Sequence, residues 1–489
     1  MIAPASTPDA AATARDGSRD LRPLLTAGTV HFMGVGGAGM CALAEAVLRG
    51  GGQVTGCDRD PGDGVRALER LGVQVRGGHD PSHVDEAVAL VVSAAIPDSH
   101  PEIRAAREAG LPVLKRAEAL GGWVHRGTVV AVSGTHGKTT ATAMVTSILE
   151  AAGMDPTGFV GGETVQWRGH LRPGRDDLFV VEADEYDRSF HHLRPTVALV
   201  TNMEADHLDV YGDLEGVGRA FHTFLEGIRD DGVAVICADD SGAASLLTGL
   251  GRGGWSYGLS AGSQYRAEDV RIRGWESVFR VRERGSARGR VRIHVPGLHN
   301  VRNALGAAAT ARGLGVGWDA IRDGLAAYGG VRRRFQELGR PRGIRVVDDY
   351  AHHPTEVEAV LRAARTAEPR ARLVAVFQPH LYSRTRDFAG EFGTALALAD
   401  VVWITGIYPA REEPIPGVDA ALVARAVEKA REQDGVPVRE VHLHEELDTL
   451  VEALAGHLAP GDLCLTMGAG SIEKVGPELV KALQKRGGA

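Results

Sequence analysis

The chain has 489 residues, a formal net charge of −8, 44% hydrophobic residues and 24% charged residues. This length exceeds what one hydrophobic core serves, so we expect two to four globular domains. The acidic balance, with no long basic run, argues against a nucleic-acid partner. No apolar run reaches the roughly 18 residues of a bilayer span, so no membrane insertion is expected.

Two further features bear on the compartment. The four cysteines are scattered, without metal-ligand spacing or a disulfide framework, which fits a reducing cytoplasm. Residues 1–27 lack an apolar signal core and are predicted to form a disordered tail. A cytoplasmic location is therefore expected, and the sequence leaves the oligomeric state open between monomer and dimer.

The first domain opens with a strand, a glycine turn and a helix. Strand 29–33 runs into Gly34-Val35-Gly36-Gly37-Ala38-Gly39, and a second strand, 53–57, ends in Asp58. This G-x-G-x-x-G pattern, followed by an acidic residue, is typical of a nucleotide held at a helix N-terminus. A nicotinamide-dependent dehydrogenase, a plain glycine turn and a site for another nucleotide, such as uridine diphosphate, all fit this stretch. A later strand, 89–93, ends at Ser93, where such sheets gather ligands.

The second domain contains a phosphate loop. Strand 128–132 leads into Gly134-Thr135-His136-Gly137-Lys138-Thr139-Thr140, and a helix follows over 139–152. Such a loop points backbone N–H groups at a phosphate. Lys138 is expected to reach the outer phosphates, and the Thr139 hydroxyl is expected to bind Mg²⁺. Because Val132 stands where the general pattern has its first glycine, the loop is the shorter form. The alternative is a tight turn with a surface lysine.

Two acidic stretches follow the next strands of this domain. Strand 177–181 leads to Glu182-Ala183-Asp184-Glu185, and strand 196–200 leads to a segment with Glu204, Asp206 and His207. Acids crowded at a strand end repel one another unless a cation is present. Their repetition beside a phosphate loop predicts a metal-assisted phosphate site. Solvated acidic loops are the alternative.

A stretch of alternating pattern, 264–295, predicts antiparallel hairpins. Asn300 is expected to cap the following helix, 304–312. The functional alternative is that His299 or Asn303 contacts a nucleotide base.

The third domain again alternates strands and helices, with strands at 345–348, 373–377, 401–405, 441–444 and 463–467. The first two strands, which we expect to be neighbours, end in Asp349-Tyr350-Ala351-His352-His353-Pro354-Thr355 and in Gln378-Pro379-His380-Leu381-Tyr382-Ser383-Arg384. Histidines, a tyrosine and an arginine at adjacent strand ends suit a small anionic group. Structural histidines are the alternative.

Taken together, these motifs resemble the Mur ligases, the ATP-dependent amide ligases of peptidoglycan synthesis. The motifs are Gly34 to Met40, Gly134 to Thr140, Glu182 to Glu185, Glu204 to His207, Gly297 to Ala304 and Asp349 to Thr355. The resemblance covers nearly the whole chain after the tail. It implies an α/β fold of three domains: a Rossmann-like UDP-binding domain at 28–123, a P-loop ATPase-type domain at 124–331 and a Rossmann-like amino-acid-binding domain at 332–489.

The resemblance also implies an activity. Asp349 to Thr355 together with Phe377 to Thr385 is similar to the branch that joins L-alanine to UDP-N-acetylmuramate through an acyl phosphate. The segment from Met203 to Asp231 contains no lysine, whereas later branches carry a carbamylated lysine there. The near rival is the branch that attaches a recycled tripeptide to the same UDP-sugar. A nonenzymatic nucleotide switch is the rival of another class.

The roles that the resemblance implies fall into four sets. ATP is expected to contact the phosphate loop together with His299, Asn303 and Arg334. Mg²⁺, at two sites, is expected on Thr139, Glu182 and His207. The UDP-sugar is expected to contact Gly36, Gly37, Gly39, Asp58, His79 and Ser93. The amino acid is expected to contact Tyr350, His352, His380 and Arg384, and the catalytic residues are expected to be Lys138, His207, His352, His380 and Arg384.

Overall fold

The computed structural model describes residues 19–60, 62–251, 253–410, 412–432 and 435–486. The chain divides into two compact units, each discontinuous in sequence. The first unit comprises the described residues of Met1–Asp269, Phe279–Val291 and Arg302–Gly329, and the second those of Val270–Val278, Arg292–Val301 and Gly330–Ala489. Within the described part of the chain, no helix combines the length and the apolar character that a membrane crossing needs.

The first sheet is parallel throughout and has the strand order β3-β2-β1-β4-β5. Its strands are β1 (Thr29–Met33), β2 (Gln53–Asp58), β3 (Gln74–Gly77), β4 (Ala87–Val92) and β5 (Val113–Lys115). Its helices are α1 (Ala38–Arg49), α2 (Asp63–Arg70), α3 (Pro101–Glu108) and α4 (Arg116–Val124), with a 3-10 helix at Pro81–Val84. The alternation of strands and helices produces the parallel sheet that the sequence predicts.

The expected disordered tail ends earlier than residue 27. Residues 1–18 lie outside the described residues, but Leu21 is fully buried and a 3-10 helix spans Arg22–Leu24. The Arg22 guanidinium lies 4.3 Å from the centre of the Trp123 ring. A buried leucine and a cation–π contact hold this short segment against α4, so the prediction for residues 19–27 is corrected.

The second sheet has ten strands in the order β15-β14-β13-β12-β11-β10-β6-β9-β7-β8. Its strands are β6 (Thr128–Ser133), β7 (Thr157–Thr164), β8 (Gly169–Arg172), β9 (Leu178–Glu182), β10 (Val197–Val200), β11 (Val233–Cys237), β12 (Trp255–Gly258), β13 (Tyr265–Arg273), β14 (Glu276–Glu283) and β15 (Ser286–Ile293). Its helices are α5 (Lys138–Ala151), α6 (Leu208–Tyr211), α7 (Leu214–Glu226), α8 (Ser241–Gly249), α9 (Leu298–Gly313) and α10 (Trp318–Ala327). Strand β6, which carries the phosphate loop, lies between β10 and β9, the two strands with acidic ends.

The first two sheets belong to the same compact unit. Helix α1 packs against β7 and β8. Gly121 of α4 packs so closely against the backbone of His192 that a Cβ at position 121 would lie 2.3 Å from the His192 carbonyl oxygen. Such close packing joins the first two predicted domains into one unit. The domain boundaries given above therefore stay predictions.

The third sheet has six strands in the order β16-β17-β21-β18-β19-β20. Its strands are β16 (Gln336–Gly339), β17 (Arg345–Asp349), β18 (Leu373–Phe377), β19 (Val401–Ile404), β20 (Glu440–Leu443) and β21 (Leu463–Met467). Its helices are α11 (Pro354–Ala367), α12 (Tyr382–Asp387), α13 (Ala389–Leu396), α14 (Ala421–Arg431), α15 (Leu447–His457) and α16 (Val475–Lys485). Apolar cores cover both faces of this sheet.

Two local predictions for this part of the chain are wrong. Strands β17 and β18 are not neighbours, because β21 pairs with both of them. Asn300 does not cap a helix, because α9 already begins at Leu298 and the Asn300 side chain donates to the Pro296 carbonyl at 2.8 Å. Gly297, with φ +103°, makes the turn that starts the helix earlier.

Candidate active site

The phosphate loop joins the end of β6 to the start of α5. Gly134 has φ +132° and Gly137 has φ +82°, a region that favours glycine. A Cβ on Gly137 would lie 2.7 Å from Oδ1 of Asn303, which places Asn303 directly on the loop. The loop therefore has the open backbone path and the helix N-terminus that phosphate binding needs.

The loop is fixed by the strand end beside it. The backbone N–H of His136 donates to Asn202 Oδ1 at 2.7 Å, and the Thr201 hydroxyl donates to the His136 carbonyl at 2.6 Å. The Thr135 hydroxyl accepts from the Glu204 N–H at 2.9 Å. Thr201 and Asn202 were not among the predicted site residues, although their place at the end of a buried strand is visible in the sequence. They hold the loop in shape before any ligand binds.

Lys138, the first residue of α5, forms a largely buried ion pair. Its Nζ donates to the two Glu185 carboxylate oxygens at 2.9 and 2.8 Å and to the Gly134 carbonyl at 2.8 Å. Burial alone would lower the pKa of Lys138, but the neighbouring Glu185 carboxylate outweighs it and raises this pKa above its ordinary value. Burial also raises the pKa of Glu185 to about 7, against the attraction of Lys138. The lysine stays charged, and the glutamate can change its charge near neutrality.

A second pair of oxygen groups lies beside this ion pair. The Thr139 hydroxyl donates to Glu182 Oε1 at 2.9 Å, and the Gly161 N–H donates to Glu182 Oε2 at 2.7 Å. The Glu182 carboxylate is thus oriented from both sides, with one oxygen next to the threonine hydroxyl. A hydroxyl and a carboxylate at a phosphate loop are a donor pair suited to Mg²⁺.

His207 lies on the other side of Glu185. Its Nε2 is 4.0 Å from Glu185 Oε1 and 4.0 Å from Asp206 Oδ2. Its backbone has φ +53°, a conformation that is uncommon outside glycine and is often found at functional positions. Lys138 and His207 therefore share the Glu185 carboxylate, so the two predicted catalytic residues of this domain lie together.

The glycine turn of the first sheet brings several predicted sugar-site residues together. The Gly36 N–H donates to Asp58 Oδ2 at 2.7 Å. A Cβ on Gly34 would lie 2.9 Å from the Ser93 Cβ. A Cβ on Gly39 would lie 3.1 Å from Nη1 of Arg116, a residue that the sequence analysis did not single out. Arg116 begins α4 after a short strand and has no motif of its own, so only the fold shows that it borders the turn.

Two other predicted sugar contacts differ in their surroundings. A Cβ added to Gly37 would have the Gly34 carbonyl oxygen as its nearest neighbour, at 3.8 Å, so the turn is open at this position. His79 faces the interior, with its Nδ1 3.1 Å from Cys57 Sγ. Both roles stay predictions.

The second unit contains a cluster of aromatic and basic side chains at the carboxyl ends of β17 and β18. The ring centres of Tyr350 and His352 are 5.2 Å apart, those of His352 and His380 are 5.6 Å apart, and Arg384 Nη1 is 3.4 Å from His380 Nδ1. Tyr408 stacks on His380 at 5.8 Å. The four predicted amino-acid-site residues thus meet although β21 separates their strands. Tyr408 follows β19 without a recognisable motif, so no sequence pattern indicated its place in this cluster.

Arginines surround the tyrosine of this cluster. The guanidinium carbons of Arg333 and Arg334 each lie 5.1 Å from the centre of the Tyr350 ring. Burial raises the pKa of Tyr350, so its hydroxyl stays protonated at neutral pH. Arg334, a predicted ATP contact, lies 3.7 Å from Glu356 Oε1, and His299, another, lies in the first turn of α9. The ATP roles of both residues stay predictions.

Comparison with known proteins identifies the class. The family model described as "Mur ligase family, catalytic domain" matches residues 29–128, "Mur ligase middle domain" matches 132–311, and "Mur ligase, glutamate ligase domain" matches 333–470. The chain belongs to the Mur ligase family. The family resemblance and the predicted α/β fold of three domains are confirmed.

Comparison with individual proteins shows which members of the family this chain is similar to. The UDP-N-acetylmuramate–L-alanine ligase of Salinibacter ruber is 41% identical, over 94% of this chain and 96% of that protein. The crystal structure of UDP-N-acetylmuramate-alanine ligase MurC from Thermotoga maritima has a TM-score of 0.80 at 28% identity, covering 94% of this chain and 100% of that one. A murein peptide ligase from Psychrobacter arcticus has a TM-score of 0.68 at 26% identity, covering 94% and 99%.

Proposed function

We propose that the protein joins L-alanine to the carboxylate of UDP-N-acetylmuramate and converts ATP to ADP and phosphate. The observation that carries the proposal is the convergence of Lys138, Glu182 and His207 at the N-terminus of α5, because this set suits a triphosphate with its metal. The name of the Salinibacter ruber relative supports the choice of substrates. The reaction would take place in the cytoplasm.

The first step activates a poor acyl donor. A substrate carboxylate oxygen attacks the γ-phosphorus of ATP, and the bond from that phosphorus to the β,γ-bridging oxygen breaks. ADP departs, and the substrate becomes an acyl phosphate. Both reactants are anionic, so the site must supply positive charge. Lys138 supplies it at the helix N-terminus, once phosphate oxygens replace Glu185 as its partner.

The donor groups also suit Mg²⁺. The Thr139 hydroxyl and the Glu182 carboxylate would hold one ion, and the His207 imidazole would hold a second. When bound, Mg²⁺ neutralises the phosphate charge. The Gly161 N–H keeps the Glu182 carboxylate in place for this role.

The second step takes place at the acyl carbon. The alanine amine attacks this carbon, phosphate leaves, and the amine gives up a proton. We assign the carboxylate of alanine to Arg384, which is 8% exposed and lies beside His380. His352 and His380 orient the amine, and one of them accepts its proton.

The UDP-sugar would occupy the glycine turn of the first sheet. The open backbone at Gly37 and the N-terminus of α1 suit a diphosphate. The Asp58 carboxylate already accepts a hydrogen bond from the Gly36 N–H, and it can also accept one from a ribose hydroxyl. The chain belongs to the Mur ligase family and has a phosphate loop on its second sheet, so a dehydrogenase is not proposed.

The test is phosphate release from Mg-ATP and UDP-N-acetylmuramate with L-alanine, glycine, L-serine or the recycling tripeptide as acceptor. Release with L-alanine, with a product heavier by one alanine residue, is the expected result. Release with the tripeptide alone would move the function to the branch that attaches a recycled tripeptide to the same UDP-sugar. No release with any acceptor, from folded protein that binds ATP, would overturn the ligase proposal.

A further inference from the structure

A cluster of four potential metal ligands lies in the core of the first sheet, next to the predicted sugar contact His79, whose Nδ1 is 3.1 Å from Cys57 Sγ. His31 is on β1, Cys57 on β2, His83 on the 3-10 helix Pro81–Val84 and Glu102 on α3. His31, Cys57 and Glu102 are at most 1% exposed, and the His83 side chain is 8% exposed. The residues lie far apart in sequence, which explains why cysteine and histidine spacing did not reveal them.

Three of the four ligand atoms have the spacing that a tetrahedral ion requires. His31 Nε2 lies 3.4 Å from Cys57 Sγ and 3.2 Å from Glu102 Oε1, and Cys57 Sγ lies 3.4 Å from Glu102 Oε1. His83 Nδ1 lies 3.7 Å from Glu102 Oε2. All four ligand atoms lie within 4.8 Å of one another. Tetrahedral zinc bonds of about 2.0–2.3 Å place neighbouring ligand atoms about 3.3–3.6 Å apart, so His31, Cys57 and Glu102 already fit and the His83 ring must move closer to complete the site.

The hydrogen bonds around the cluster support a ligand role. His31 Nδ1 lies 2.9 Å from the Thr55 hydroxyl, which fixes the ring with Nε2 toward the cluster. His83 Nδ1 is buried, points at Glu102 and has no hydrogen-bond partner among the described residues. A buried imidazole nitrogen without a hydrogen bond is costly, and coordination would remove that cost.

The charge of the cluster also favours a cation. Glu102 is fully buried, and the groups around it are imidazoles and a thiol, without a lysine or arginine in contact in the described structure. A divalent ion would balance the carboxylate and bind the sulfur as thiolate.

We propose that His31, Cys57, His83 and Glu102 bind one Zn²⁺ ion that ties the 3-10 helix and α3 to the first sheet. Four protein ligands leave no open position, so the ion is structural. The site differs in chemistry from the phosphate loop, because it combines a thiolate with two imidazoles, a donor set that selects zinc over Mg²⁺.

The test uses the full chain without a histidine tag, freed of metal and then titrated with Co²⁺ in excess Mg²⁺. We expect one equivalent of Co²⁺ with a thiolate-to-cobalt charge-transfer band, displaced by one equivalent of Zn²⁺. Cys57→Ser should lose the band. Cys41→Ser, which keeps a donor to the Val35 carbonyl, should retain it. His83→Gln should weaken Zn²⁺ binding by at least roughly tenfold.

Two results would overturn the proposal. One is the absence of a thiolate band in wild-type protein whose circular dichroism shows it folded. The other is a band that persists in Cys57→Ser. Because the wild-type spectrum is itself diagnostic and the His83→Gln change is at the edge of the core, the test does not depend on whether Cys57→Ser folds. Neither readout depends on ligase activity.

Discussion

The two glycine turns of the first unit use the same backbone design with opposite charges. Each follows a buried parallel strand and ends at a helix N-terminus, at Ala38 in one case and at Lys138 in the other. In the first turn, the Asp58 carboxylate already accepts a hydrogen bond from the Gly36 N–H. In the second a lysine starts the helix and pairs with Glu185.

This difference teaches that a glycine turn defines a place for a ligand but not its identity. The groups on neighbouring strands decide what binds. A fixed carboxylate favours a ligand that presents hydroxyl groups, whereas a cation with oxygen ligands nearby favours a metal-bound polyphosphate. The proposed UDP-sugar and ATP sites follow from this contrast, which can be tested one turn at a time.

The largest effect is expected for Lys138→Ala. Without the lysine, charge on the γ-phosphate is not balanced, and turnover should fall by at least roughly 10³-fold. Phosphate release measures this loss, and titration calorimetry should show unchanged UDP-N-acetylmuramate binding. Lys481→Ala, an exposed change on α16, is the control. Loss of sugar binding in Lys138→Ala would contradict the assignment of the two turns.

One alanine substitution in each turn should show that the two turns bind different ligands. In Gly137→Ala the new Cβ meets Asn303 Oδ1 at 2.7 Å on a backbone with φ +82°, so binding of an ATP analogue should weaken roughly 10- to 100-fold, as strain of this kind costs about 1–3 kcal/mol. In Gly36→Ala the Cβ meets Asp58 Oδ2 at 2.9 Å, and sugar binding should weaken instead. Calorimetry with each ligand on each variant gives the comparison. Equal losses of both ligands in both variants would refute separate sites.

Glu182→Gln should affect the metal requirement alone. The amide keeps the shape of the side chain but weakens an oxygen ligand, so the Mg²⁺ concentration for half-maximal turnover should rise roughly tenfold. Asp58→Asn, the matched change at the other turn, should leave that concentration unchanged. Asp177→Asn, an exposed change just before β9, serves as a background control. A Mg²⁺ dependence that is unaltered in Glu182→Gln would exclude this carboxylate as a ligand.

The smallest effect expected is a pH dependence. Burial raises the pKa of Glu185 to about 7, so its carboxylate gains a proton as the pH falls through that value. The neutral form neither holds Lys138 nor repels phosphate, so affinity for an ATP analogue should rise a few-fold between about pH 8 and pH 6. Comparison with Glu185→Gln removes the titration of the analogue itself. The same slope in both proteins would show that Glu185 is not the titrating group.

Much of this arrangement could be predicted from local sequence. The strands and the two turns are where apolar runs meet glycine, and the acids after β9 and β10 were correctly placed at strand ends. Sheet order could not be predicted in the same way, because nothing between residues 345 and 377 indicates that β21 will insert between β17 and β18. Arg116 and Tyr408 were missed because each reaches its site through the fold, not through a motif.

The His31–Cys57–His83–Glu102 cluster shows the same limit. Its members come from two strands and two helices. Because the cluster has one cysteine and its four ligands are far apart in the sequence, the usual motif spacing argues against a metal site. Only the packing of α3 and the 3-10 helix on one face of the sheet brings the four ligand atoms together.

The central place of β21 has a consequence for synthesis on the ribosome. All five residues of Leu463–Met467 are buried between β17 and β18, yet they are translated after the other five strands of this sheet. A nascent chain can complete the first two sheets before β21 is made, but its third sheet stays open in the middle until β21 has been translated. A message truncated before codon 463 would therefore yield a polypeptide that lacks a complete third sheet. Such a fragment would be a substrate for proteolysis and not a partly active enzyme.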